Sequence, residues 1–160
     1  MRSLEFWKRV VSDRSDYLER ILAALAGFDY CVIGDVAVNA YSEPVVTEEF
    51  EVVIAAHDLP RAQRALADVP ALDSKLRLLV ETDPRYEAFV GRARICNVMD
   101  LQLPVAAAED VLQGKLWTLQ NEARRLSKRQ KDLMNIARLI EAFPELQSRV
   151  PADILARIGS

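Results

Sequence analysis

The stretch from Cys31 to Ile54, CVIGDVAVNAYSEPVVTEEFEVVI, constrains the fold more than any other part of the chain. An apolar run, Tyr30 to Ile33, meets Gly34, a residue that admits a tight turn without steric cost. A short helical segment follows from Val36 to Tyr41, Pro44 marks a loop, and a second apolar run extends from Glu49 to Ala55. Strand, turn, helix, loop and strand in so short a span predict a sheet with a helix laid against it. The second strand opens with Glu49 and Glu51, and residues at i and i+2 of a strand point to one face. Two like charges held that close repel unless a cation or solvent lies between them. The pair therefore predicts either a divalent-metal site or the solvated end of an edge strand.

Asp100 ends a further strand-like run, Arg94 to Leu101. If that strand lies beside the first, three carboxylates converge into an oxygen-rich pocket suited to Mg²⁺. Elsewhere the pattern is mixed. Leu18, Ile21, Leu22 and Leu25 recur at helical spacing between Ser15 and Gly27, and an earlier helical segment covers about Leu4 to Val11. Asp58 to Val69 reads as a helix, Leu76 to Glu81 as a third strand, and Tyr86 to Val90 as either a short strand or a helical turn. From Ala107 onward the pattern is helix alone, about Ala108 to Glu122 and Ser127 to Ala142, with Pro144 and Pro151 each opening a short terminal helix. This predicts a single α+β domain over residues 1–160. Residues 1–106 would form a mixed β-sheet of four to five strands with flanking helices, and residues 107–160 a C-terminal helical pair.

With 160 residues, 51% of them apolar and 28% charged, the chain can bury a substantial core and is not a disordered one. A net charge of −3 gives no overall electrostatic case for binding nucleic acid. Locally, Arg124 to Lys131 hold five cations in eight residues. That run reads either as a surface guiding RNA or phosphate, or as a helix connection pairing with Asp132 and Glu122. The first residues scatter charges where a secretory signal needs an apolar block, and no apolar run approaches the roughly 20 residues of a membrane span. The expectation is a cytoplasmic protein without a membrane segment. Cys31 and Cys96 read as buried small apolar residues. His57, the sole histidine, reads as a loop residue, so a histidine-based metal site or a Ser-His-Asp triad has little to be built from.

Taken together, Ile33-Gly34-Asp35-Val36-Ala37-Val38-Asn39-Ala40-Tyr41, then Pro44, Thr47 and Glu49-Phe50-Glu51, then Val98-Met99-Asp100-Leu101, Leu103-Pro104-Val105, Glu109 to Leu116 and Lys131-Asp132-Leu133 follow a familiar order. Over about residues 17–143 the chain resembles the nucleotidyltransferase superfamily that includes DNA polymerase β, especially small bacterial minimal and abortive-infection toxin-type members. The resemblance implies that Glu49, Glu51 and Asp100 hold Mg²⁺ as catalytic residues. It also implies that Gly34 and Asp35 sit at the nucleotide and that Lys115 faces its phosphates. The implied reaction moves a nucleoside monophosphate from an NTP to a hydroxyl of a small molecule, RNA or protein acceptor by in-line displacement.

The chain departs from the family pattern where the chemistry is done. Asp35 replaces a small residue beside the phosphates, glutamates replace both aspartates of the pair, and Val45 or Val46 stands where an arginine is common. A glutamate adds one methylene, about 1.5 Å of reach, and a ~1 Å error can cost ~100-fold in rate. These departures favour weak or lost activity. The alternative is a non-catalytic nucleotide- or partner-binding module of a toxin–antitoxin or regulatory system. Three smaller readings go with these. Lys115 is equally a solvated helix lysine, Glu109 and Asp110 complement a helix start, and Trp117 packs.

Overall fold

Four consecutive apolar residues, Tyr-Cys-Val-Ile, form β1 (Tyr30–Ile33), and all four are buried, the pattern of a strand covered on both faces. The structure is a computed structural model that describes residues 2–11, 16–71, 74–98 and 100–159. Two helices, α1 (Arg2–Val10) and α2 (Tyr17–Leu25), precede β1, and α3 (Gly34–Tyr41) follows it with no intervening loop. Next come β2 (Glu49–Ile54), α4 (Leu59–Ala67), β3 (Arg77–Glu81), a 3₁₀ turn (Pro84–Tyr86) and α5 (Ala88–Arg92). A hairpin of β4 (Arg94–Val98) and β5 (Leu101–Val105) leads to α6 (Ala108–Gln120), α7 (Leu126–Ala142), a second 3₁₀ turn (Pro144–Arg149) and α8 (Ala152–Ile158). The expected start of the second helix at Ser15, and Met99 in the expected fourth strand, lie outside the described residues.

The sheet is mixed and five-stranded, in the order β3-β2-β1-β5-β4, with helices around it, so the α+β class holds. β2 runs antiparallel to β1 with Glu51 opposite Ile33, and β3 runs parallel to β2 with Leu79 opposite Glu51. β5 runs parallel to β1, meeting it at Val32 and Val105. One buried cluster runs from Trp7 in α1 through Phe50 and Leu112 to Ile154 in α8. Trp7 also donates its indole N–H to the carbonyl of Val98 at 2.6 Å, tying α1 to the hairpin. Cys31 is buried and Cys96 half-buried, both as free thiols. Among the described residues, no helix is long and apolar enough to cross a membrane.

Two expectations change. Arg94 to Leu101 is not one strand but the first arm and turn of a hairpin, reversed at Asp100 with φ +69°. Aspartate is among the few non-glycine residues that enter this left-handed region at modest cost. Tyr86 to Val90 resolves as helical. The Asp83 side chain starts the 3₁₀ turn by accepting a hydrogen bond from the backbone N–H of Arg85 at 3.0 Å.

Candidate functional site

Because β2 is antiparallel to β1, the end of β1 and the start of β2 lie at the same edge of the sheet, which brings Gly34 beside Glu49 and Glu51. Gly34 has φ +71°, and a Cβ at that position would stand 2.6 Å from Glu51 Oε1. Glycine is required here twice, by the backbone and by the carboxylate packed on its Cα. The two form one end of a cleft of about 390 Å³ between β2, β3 and α6. Its charged and phenolic walls are Glu49, Glu51, Glu81, Tyr86, Asp110, Lys115 and Arg124.

Most charges in and around this cleft are matched by a partner from the chain itself. Glu49 accepts from Arg77 at 2.6 Å and from Lys128 of α7 in a closer contact. Burial pushes the Glu49 carboxyl up, but the hydrogen bond and charge of Lys128, together with Arg77, bring the net shift downward. Asp35 accepts from Lys115 at 2.7 Å, Asn135 at 2.9 Å and Thr47 at 3.0 Å. Burial again pushes up, and the Lys115 ammonium with its hydrogen bond brings Asp35 down to about 2. Behind them, fully buried Asp132 takes a two-point contact from Arg124 at 2.7 and 3.1 Å and lies 3.6 Å from Lys115. Asp110 takes the same kind of contact from Arg92 at 2.8 and 3.0 Å, so it is an ion-pair partner as well as a first-turn acid of α6.

Glu51 is the exception. Among the described residues no hydrogen bond or ion pair reaches it, and its nearest influences are those of Lys115, Glu81, Glu49 and Asp35. Burial, aided by the three carboxylates and opposed by Lys115, pushes it up to about 7. Near neutral pH its proton is about half occupied.

The predicted site residues separate in space. Gly34, Glu49, Glu51 and Lys115 line one cleft, and Asp35 sits behind it on Lys115. Asp100 does not converge with them. β5 reaches β1 at Val105, so the hairpin turn at Asp100 lies five residues back along the strand, about 16 Å away at ~3.3 Å per residue, exposed and outside the cleft. The parallel strand beside β2 carries no substitute at the facing positions, where Arg77 opposes Glu49 and Leu79 opposes Glu51. The space against the Gly34 Cα, expected to admit phosphates, is filled by the Glu51 carboxylate. Lys115 is buried, not a solvated helix lysine.

These residues do not fit the metal pair that the sequence resemblance implies. No three of the cleft's carboxylates offer oxygens within 4.8 Å of one another. Glu49 and Asp35 already spend their charge on ammonium and guanidinium groups.

Sequence reasoning missed Glu81, Tyr86 and the partners supplied by α7. Glu81 had a readable signal: it shares the period-two face of Arg77 and Leu79, the face that meets Glu49 and Glu51. Tyr86 packs against α6, where a Cβ on Gly114 would lie 3.1 Å from its ring, and it contacts Phe89 and Trp117 edge-on at 5.3 and 5.0 Å. At the opposite end of the sheet, Asp29, His57 and Asp58 place ligand atoms within 4.8 Å of one another, so His57 has more company than its loop position promised. His57 Nε2 lies 3.0 Å from Asp29 and 3.4 Å from Asp58. Asp58 is already engaged by the Asp29 backbone N–H and by Arg61, which makes this group a staple between the start of β1 and the end of β2.

No family model matches the chain, and no curated protein matches it. Among solved structures the chain is similar to an antigenic nucleotidyltransferase-like protein from Paracoccidioides brasiliensis, at 17% identity and a TM-score of 0.48, covering 78% of this chain and 75% of that one.

Proposed function

We propose that the chain is a non-catalytic binding module whose cleft, placed where related sequences would carry out nucleotidyl transfer, recognises a ligand without metal-assisted chemistry. The observation that carries the reading is the occupation of the carboxylates by the chain's own cations, Lys128 and Arg77 on Glu49 and Lys115 on Asp35. Asp100, at the far end of β5, adds no third ligand. A two-metal displacement needs carboxylates free to clamp both ions at about 2.0–2.1 Å, and here they are spent on ammonium and guanidinium groups.

The test is incubation of the chain with Mg²⁺, each labelled NTP, and total RNA or lysate protein as acceptor. The expected result is no labelled product above that of a Glu49→Gln control. Transfer that disappears in both Glu49→Gln and Glu51→Gln would establish a weak nucleotidyltransferase and overturn the module reading.

A further inference from the structure

Resting on the non-catalytic reading, we infer that the cleft binds a small organic cation, a primary ammonium carried on an apolar or aromatic body, seated between Glu51 and Glu81 and against the Tyr86 ring. Three independent features support this. First, the charge ledger of the cleft does not close. The cations that line it are committed, Lys115 to Asp35 and Asp132 and Arg124 to Asp132, while Asp110 is matched by Arg92 and Glu49 by Lys128 and Arg77. Among the described residues neither Glu51 nor Glu81 forms an ion pair; Glu81 accepts the backbone N–H of Asp83 at 3.0 Å and Glu51 makes no hydrogen bond. Both side chains are half-buried and line the cleft, so a positively charged guest there gains a charge-assisted contact that no ion pair of the chain supplies.

Second, geometry aims both groups at the same space. Leu79 opposes Glu51 across the parallel β2–β3 pair, so Glu81, two residues on, is its diagonal neighbour on one face, about 8 Å away between backbones at ~4.8 Å per strand and ~3.3 Å per residue, a span two glutamate side chains and one ammonium can bridge. Third, the remaining wall suits the rest of such a molecule. Leu79, Val111, Tyr86 and Phe89 line the cleft, an apolar and aromatic wall for the body of such a molecule. A nucleotide triphosphate has the opposite sign, and without metal ions the uncompensated carboxylates repel it. The proton on Glu51 sets a pH dependence. The groups facing it are Lys115 from α6, Glu49 on its own strand, Glu81 from β3, Asp35 from α3 and Tyr86 from the 3₁₀ turn. A guest ammonium stays charged while Glu51 ionises, so binding tightens as pH rises.

The experiment is calorimetric titration of the full chain with benzylammonium and, as neutral isostere, benzyl alcohol. Binding is also read from the fluorescence of Trp117, whose ring stacks on Phe89 at 5.8 Å. The expected result is saturable one-to-one binding of benzylammonium and none of the alcohol. Affinity should rise several-fold between about pH 6 and about pH 8, as the Glu51 carboxyl ionises. Glu51→Gln and Glu81→Gln, each confirmed folded by its thermal transition, should weaken binding by about tenfold or more, the scale of losing a charge-assisted contact. Equal binding of the alcohol, unchanged binding in both variants, or no binding at millimolar concentration would overturn the proposal. So would Mg²⁺ saturating the same two carboxylates. A negative result here together with no nucleotide transfer leaves the module reading standing, whereas nucleotide transfer removes both.

Discussion

Glu51 shows how one side chain can carry both a structural cost and a use. Its carboxylate rests on the Cα of Gly34, a residue that could not carry a Cβ there, and burial pushes its pKa up to about 7. Between its ordinary value of 4.5 and about 7 the folded chain therefore keeps a proton that the unfolded chain has released. Stability from this group is complete below the lower value and falls as pH rises through the window, by on the order of 3 kcal/mol at ~1.36 kcal/mol per unit. Asp35 acts in the opposite sense, since its pKa of about 2 makes its contribution vanish only in stronger acid. Urea unfolding of wild type and Glu51→Gln at a series of pH values separates the two. The stability of Glu51→Gln relative to wild type is expected to grow across the window and level off above it. A difference independent of pH would show that Glu51 is ionised throughout and well solvated.

At the scale of elements, α7 braces Glu49 and Asp35 from a distance in sequence that no local pattern reveals. Lys128 reaches Glu49 across 79 residues, and Asn135 reaches Asp35 across 100. The basic run from Arg124 to Lys131 is thus spent largely inside the molecule: Arg124 on Asp132, Lys128 on Glu49 and Arg129 on the Leu119 carbonyl. Asp132 is the fully buried hub of this arrangement. Asp132→Asn leaves Arg124 and Lys115 short of a buried counter-charge and should cost about 3–5 kcal/mol in chemical denaturation. Asp153→Asn, on an exposed part of α8, should change stability by no more than about 0.5 kcal/mol. A loss below about 1 kcal/mol for Asp132→Asn would mean that apolar packing alone docks α7.

Elements with strong local signals were legible for the same physical reason that others were not. β1, Gly34 and β2 announce themselves through apolar runs and a turn residue, and the structure places them at Tyr30–Ile33 and Glu49–Ile54. The β4–β5 hairpin was hidden because Asp100 makes the reversal without glycine or proline, so no turn residue interrupts the strand-like run from Arg94 to Leu101. That hidden reversal displaced the expected third carboxylate to the far end of the sheet.

Viewed whole, the molecule holds an α+β sheet whose cleft sets Glu49 beside Glu51 and supplies Glu49 with positive charge from α7 and β3. On the proposed reading, these attached cations are exchanged for the divalent ion that the sequence resemblance implies. Whether that exchange is complete is measured by calorimetric titration of the full chain with Mg²⁺, alone and with ATP, beside the Glu49→Gln variant. The account predicts no saturable heat from a cleft site in either protein. One-to-one Mg²⁺ binding that is lost in Glu49→Gln would contradict it.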